Sequence, residues 1–378
     1  MKIAYITIND PKDYKSWSGL NYSIYKSLKS AGNDVVCIGP LNRKIKIFYV
    51  VVRYIYNIFG IKFDADRSVL LSKYYCNQVK KKINNLKFDI ILTSDTTTVS
   101  YLDTSIPIVL WLDTMFQSWY AHYYSKKKIS HKTYRDGNLC EQNAIDKASN
   151  ILLTSVWAKN EVLKFYKCKK NKIHILPFGS NLEISPSLEE IIKKKNIIKD
   201  TCKVISIGVD WERKGFARTI NICNLVRKKG LDIRLTIIGA CKSKSDHFPN
   251  WIKVNKFLDK NKKKSRQFIS KHLLESDFHV LMTKSEAFGV VFVEASSHGV
   301  FNIAPNIGGV KGAIKNNVNG KLFKYNIHNK IIANYIYNSY LNKKILKKKI
   351  ISSKTLYEKE LNWNTIGSKF NKIIQKSF

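Results

Sequence analysis

Hydrophobic positions along this chain fall into short runs rich in β-branched residues, separated by longer stretches in which apolar residues recur every third or fourth position. Lys2-Ile-Ala-Tyr-Ile-Thr-Ile8 and Val35-Val-Cys-Ile-Gly39 are two such runs. Between them Leu20, Ile24 and Leu28 share one helical face, with Gly19 ahead of the stretch and Gly32 closing it. Strand, glycine loop, helix and strand make a βαβ unit, which implies a parallel sheet and a right-handed crossover. Runs at residues 89–93, 106–112, 150–154 and 172–176 continue the alternation. Lys203-Val-Ile-Ser-Ile-Gly208 restarts it, and runs at 233–238, 252–254, 278–282 and 301–304 follow. Residues 177–200, with Pro177, Gly179, Pro186 and a lysine run, read as a linker region. The expected fold class is α/β: two doubly wound Rossmann-like domains, 1–178 and 179–360, facing each other across a cleft. A C-terminal helix, 361–378, is free to cross back to the first domain. Ligands of such sheets bind at the carboxyl ends of the strands, where the strand order reverses.

Composition narrows the class. Of 378 residues, 44% are hydrophobic and 12% aromatic, which excludes a disordered chain. The 66 Lys and Arg exceed the 28 Asp and Glu by 38, a balance that points to a polyanion or an anionic membrane. The lysines are scattered rather than gathered in a tail, so drift toward AT-rich coding DNA explains them as well. Lysine runs at Lys126–Lys128, Lys193–Lys195, Lys262–Lys264 and Lys347–Lys349 lack interleaved aromatics and read as solvated helix faces. The 7 cysteines form no CxxC pair, and the 8 histidines show no metal spacing and read mostly as surface or strand-edge residues. No stretch of about 18 uncharged apolar residues occurs, and Met1 leads straight into a strand. The expectation is a cytoplasmic protein without a signal peptide.

Three segments carry candidate chemistry. Ser285-Glu-Ala-Phe-Gly-Val-Val-Phe-Val-Glu294-Ala sets Glu286 and Glu294 around a strand–loop–helix junction. Free amides and the positive end of the helix dipole there suit a phosphate or an array of sugar hydroxyls. A carboxylate farther into that apolar helix can accept both hydroxyls of a ribose, or it can pair with a lysine from a neighbouring element. Gly208-Val-Asp-Trp-Glu-Arg-Lys-Gly215 puts Arg213 and Lys214 directly after a glycine-ended strand, a place for a pyrophosphate or simply a solvated pair. Gly308-Gly309 and Asn319-Gly320 allow close backbone approach, and turn geometry alone explains them equally.

Together, the EX7E pattern of Glu286 and Glu294, the 208–215 stretch, Gly308-Gly309 and Asn319-Gly320 resemble the retaining glycosyltransferases of the GT-B fold, family 4. Trp17-Ser-Gly19 is similar to that group's N-terminal glycine loop. Ser155-Val-Trp-Ala158 and His174-Ile-Leu-Pro-Phe-Gly179 are similar to its interdomain passage. The resemblance implies a nucleotide-diphosphate sugar donor, bound mainly by the second domain, and a glycan or lipid-linked acceptor held by the first. Glu294 would hold the ribose, and Glu286 the donor sugar. The backbone at Phe288, Gly289 and Val290 would lie against sugar or phosphates. Arg213 and Lys214, near Gly208, would neutralise the leaving diphosphate in place of a metal, so no cofactor or metal is implied. Gly19 would let its loop approach the diphosphate. Two positions depart from the family: Asp113 stands where histidine is common, and Val209 where arginine is. Asp113 could orient donor or acceptor, or cap a helix from Thr114 onward. Retention, hexosyl transfer and a place in cell-surface polysaccharide or glycolipid synthesis are implied by the family alone. Other sugar-nucleotide chemistry on the same fold, epimerase or phosphorylase-like, is the alternative, and nucleic-acid binding the remote one.

The segment 43–62, Arg-Lys-Ile-Lys-Ile-Phe-Tyr-Val-Val-Val-Arg-Tyr-Ile-Tyr-Asn-Ile-Phe-Gly-Ile-Lys, mixes aromatic and β-branched residues with basic flanks. As a helix it suits the interface of an anionic membrane at the inner face, or a buried place under the first sheet.

Overall fold

The computed structural model describes residues 1–124, 129–195, 200–240 and 247–377; the Lys126–Lys128 run and Cys241 lie outside the described residues. The chain divides into two units, Met1–Pro177 with Ile366–Phe378, and Phe178–Thr365.

In the first unit six parallel strands, β1 (Lys2–Ile6), β2 (Asp34–Cys37), β3 (Ile90–Thr93), β4 (Ile108–Leu112), β5 (Ala148–Leu153) and β6 (Ile173–Ile175), lie in the order β2-β1-β3-β4-β5-β6. Every residue of β3 and β4 is buried, because helices cover both faces of a parallel sheet. That is why these strands read as continuous apolar runs rather than alternating ones. Leu20, Ile24 and Leu28 of helix Leu20–Ser30 form its buried stripe. From Ile366 on, helix Trp363–Gln375 belongs to this unit. Phe370 stacks on Trp111 with ring centres 5.7 Å apart, and a Cβ at Gly367 would stand 2.7 Å from the Ser27 carbonyl oxygen.

The second unit repeats the plan with β7 (Cys202–Ile207), β8 (Ile233–Ile238), β9 (Ile252–Asn255), β10 (Phe278–Val280), β11 (Phe301–Pro305) and β12 (Gly320–Phe323), ordered β12-β11-β10-β7-β8-β9. β12 was not among the expected strands. It is a four-residue edge strand opening on Gly-Lys, too short and polar at its start to show a pattern. The segment 177–200, read as a linker region, contains a helix of the second unit. Helix Leu188–Lys195 packs within the second unit through Ile191, which is fully buried. Lys195, expected on a solvated face, is also buried and donates to the Ser276 carbonyl. Lys349 likewise lies over the Phe301 ring at 4.7 Å. His279 and His298 are core residues instead of surface ones. Nδ1 of His279 lies 2.9 Å from Asn302 Oδ1, and Nε2 of His298 lies 2.7 Å from Ser270 Oγ. Burial holds both imidazoles down to about 4, so they are neutral.

Among the described residues no helix is long and apolar enough to cross a membrane. Residues 44–58 form a short turn and helix Phe48–Ile58, with Tyr49 its one buried residue. The buried-helix reading of that segment does not hold. In each sheet the strand order reverses once, between β1 and β3 and between β7 and β10. Both reversal points carry the residues of interest.

Candidate active site

At the β7/β10 reversal the chain after β7 turns through Gly208 into the short helix Trp211–Lys214, capped by Asp210, whose carboxylate accepts from the Arg213 amide at 3.0 Å. A Cβ at Gly208 would come within 2.7 Å of Cγ of Lys214, so glycine there lets the lysine stem lie back along the strand end. Gly215 has φ +68°, and its Cβ would fall 2.0 Å from the Met282 carbonyl oxygen; only glycine fits. This close approach brings the 208–215 turn against the loop after β10.

Lys214 is buried and donates to Oε2 of Glu286 at 2.6 Å. Arg213 donates from Nη1 to the Ser285 carbonyl at 3.0 Å and stands 3.8 Å from the same Glu286 oxygen. Two cations from one turn therefore converge on one carboxylate, and Asp210 stands 3.6 Å from Arg213 Nε. The Gly309 amide donates to the Glu286 backbone carbonyl at 3.0 Å, which ties the Gly308-Gly309 turn to this loop. Gly289, at φ +87°, starts helix Val290–Ser297, and Phe288 packs edge-on against Phe178 with centres 5.6 Å apart. The first amides of that helix have no carbonyl within the helix to bond. Val209, where the family's arginine would stand, is 61% exposed.

Glu294 lies on that helix with no exposure at all. Its Oε1 accepts from Lys260 Nζ at 2.7 Å, so the lysine pairing weighed from sequence is realised. Its Oε2 is buried with no hydrogen-bond partner among the described residues. An orphaned carboxylate oxygen is costly to keep and calls for a donor. Asn319 is structural: its side chain bonds Lys315 N, Ser296 Oγ and Ala313 O at 2.7, 3.0 and 2.9 Å.

At the β1/β3 reversal the first unit holds a cavity of about 410 Å³. Ile8 and Asn9 after β1, residues 94–97 after β3 and residues 112–115 at the end of β4 line it, with Trp17, Arg43, Asp64, Arg67, Trp119 and Glu141 among the other wall residues. Trp17, Ser18 and Gly19 all have positive φ, at +47°, +59° and +88°. Two successive non-glycine residues in that region are strained, at about 1–3 kcal/mol each, and such strain gathers at ligand-binding loops. Gly19 then serves as the start of helix Leu20–Ser30.

Asp113 lines this cavity. The helix after it begins at Phe116, and the Phe116 amide donates to Oε1 of Glu141 at 2.9 Å. Sequence reasoning missed Glu141, Asp95 and Arg67. Glu141 could have been noticed as an acid on the buried stripe with Cys140, Ala144 and Ile145. Burial pushes its carboxyl up, against the pull of Arg67, Thr96 and the Phe116 amide. Asp95 is raised for the same reason, with the Ile8 amide, Arg67 and Arg43 opposing. The Arg67 guanidinium lies over the Phe116 and Trp119 rings at 5.2 and 5.5 Å.

Residues 187–355 match the model of a family described as Glycosyl transferases group 1. A capsular polysaccharide biosynthesis glycosyltransferase, CapM, of Staphylococcus aureus is 28% identical over 196 residues, 48% of this chain and 49% of its own. The chain thus spans about half the length of the curated relatives it matches. Sucrose-phosphate synthase from Thermosynechococcus elongatus superposes with a TM-score of 0.71 at 14% identity, covering 100% of this chain and 98% of its own. Anabaena HepE in complex with UDP-glucose does so at 0.65 and 13%, covering 100% of both. At such identities the superpositions speak for fold alone. Residues 187–355 of the second unit thus resemble the group 1 glycosyltransferases, and both units carry the Rossmann-like parallel sheets of their GT-B neighbours.

Proposed function

We propose that the chain transfers a sugar, of the hexosyl class, from a nucleoside-diphosphate donor to a glycan or lipid-linked acceptor with retention of configuration, in cell-surface polysaccharide or glycolipid synthesis. One observation carries this reading: the buried Oε2 of Glu294, without a donor among the described residues, on the helix whose start adjoins the Lys214–Glu286–Arg213 cluster. A ribose hydroxyl supplies the donor that oxygen lacks. The diphosphate then falls toward Arg213, Lys214 and the amides at Phe288–Val290. Departure of a nucleoside diphosphate from an anomeric carbon leaves an oxocarbenium-like centre and places new negative charge on the leaving oxygen. Fixed cations aimed at that charge are a large catalytic term, and positioning supplies most of the rest. Arg213, Lys214 and the helix start fill this role without a metal. Glu286, held by Lys214, stands to accept from a donor-sugar hydroxyl. The fold-neighbour HepE bound to UDP-glucose supports a nucleotide-sugar donor. The first unit's cavity takes the acceptor, its carboxylates accepting from sugar hydroxyls and its Trp faces covering apolar ring faces. Gly19 and its strained loop border this cavity, and Asp113 is an orienting carboxylate within it.

The test is nucleoside diphosphate release from a panel of nucleoside-diphosphate hexoses, with and without alkyl glycosides as acceptors and with or without a chelator. Release that rises with acceptor and ignores chelator is expected. A rearranged sugar without transfer would assign the protein to epimerase chemistry, dependence on orthophosphate to phosphorolysis, and loss of activity with chelator would remove the metal-free mechanism.

A further inference from the structure

The segment between two walls of the first unit's cavity carries an apolar face turned the wrong way for a soluble protein. Arg43 lines the cavity at one end of the segment, and Asp64 and Arg67 line it at the other. Helix Phe48–Ile58 between them buries a narrow edge, Tyr49 with half-buried Val52 and Tyr56, against Phe63 and Ala65. Tyr49 and Tyr56 have ring centres 5.6 and 5.3 Å from that of Phe63. The opposite face runs through Ile47, Val51, Tyr54 and Ile58, spaced four, three and four residues apart, at 70%, 65%, 68% and 65% exposure. Phe48, Val50, Ile55 and Phe59 widen it, all at least half exposed. A surface helix ordinarily turns its apolar stripe to the core, and an exposed patch of this kind marks an interaction site.

Charge identifies the occupant. Between Arg43 and Lys62 there are five basic residues and no acidic one. Arg43 and Lys44 stand exposed before the helix, and Arg53 stands exposed on its flank. A second copy of this chain, itself at +38, would bring like charge to like charge. An anionic bilayer brings the opposite charge, and the aromatic and β-branched face matches its headgroup–acyl boundary. Eleven residues of helix, about 16 Å, cannot cross a bilayer but can lie along it.

We propose that helix Phe48–Ile58 lies in the interface of an anionic leaflet and docks the first unit there, keeping the cavity between Arg43 and Arg67 at the membrane surface. Docking rests on this unit's own surface. Its use, to reach the head of an acceptor whose lipid tail stays in the leaflet, rests on the transfer reading above.

Flotation of the full chain with vesicles tests docking with no donor or acceptor present, so its failure and that of the transfer reading are distinguishable. Binding is expected with equal parts phosphatidylglycerol and phosphatidylcholine, not with phosphatidylcholine alone, and should fall about tenfold at about 0.5 M salt. The exposed-face variant Val51→Asp/Tyr54→Asp/Ile58→Asp should lose about tenfold in partitioning at unchanged Tm, and Lys44→Ser/Arg53→Ser several-fold. The salt and lipid dependence of the unaltered chain decides the matter even if the triple variant folds poorly. No binding to anionic vesicles at low salt overturns the proposal. So does a folded triple variant that binds as well as the parent, or a dimer of the parent that the same substitutions dissolve.

Discussion

Lys214→Ala is expected to lower turnover about 10²–10³-fold, the cost of losing one fixed donor from a developing oxyanion. Because charge grows on the leaving diphosphate only as the bond breaks, kcat should fall as well as affinity. The substitution also strips a buried carboxylate of its hydrogen-bonded cation, since Glu286 accepts from Lys214 at 2.6 Å, both side chains are at most 10% exposed, and Arg213 remains only at 3.8 Å. Breaking such a pair costs about 3–5 kcal/mol in stability. The double variant Lys214→Ala/Glu286→Gln, compared with Glu286→Gln alone for turnover, separates the two effects. It should recover most of the lost Tm, with turnover still low. Turnover that returns with Tm would make Lys214 a structural partner of Glu286 and nothing more.

Glu294→Gln is expected to weaken nucleoside diphosphate binding by about 1–3 kcal/mol, roughly 5- to 150-fold. Folding should change little, because Lys260 is partly exposed and can turn its ammonium to water. A ligand comparison sharpens the test. If Oε2 of Glu294 takes a ribose hydroxyl, the parent should prefer a ribonucleoside diphosphate over its 2′-deoxy counterpart, and Glu294→Gln should narrow that preference. Calorimetry showing equal affinity in parent and variant would leave Glu294 as the buried partner of Lys260.

The parallel architecture was legible because β3 and β4 are buried on both faces, and a doubly covered strand has no choice but continuous apolar residues. The same logic hid β12, an edge strand beginning Gly-Lys, and turned residues 177–200 into an apparent linker. Proline and lysine there outweighed Ile191, whose burial comes from packing that no local pattern announces. In the site, Glu286, Glu294, Arg213 and Lys214 were visible through their spacing around two strand ends. The Lys260–Glu294 contact was not, since it joins positions 34 residues apart through a loop. The cavity around Glu141 and Asp95 was hidden for a related reason. Its walls come from seven separated stretches, and an isolated acid on a helix looks solvated until the tertiary fold buries it.

The central claim is that a nucleoside diphosphate sits at the β7/β10 reversal of the second unit. Backbone hydrogen exchange of the full chain, with and without saturating nucleoside diphosphate, tests it most directly, because a ligand that binds the native site suppresses local opening there. Slower exchange is expected in 208–215 and 283–294, and this protection should shrink in the Glu294→Gln and Lys214→Ala variants at a ligand concentration near the parent's Kd. Protection confined to other segments, or no change at a concentration that calorimetry shows to be saturating, would contradict it.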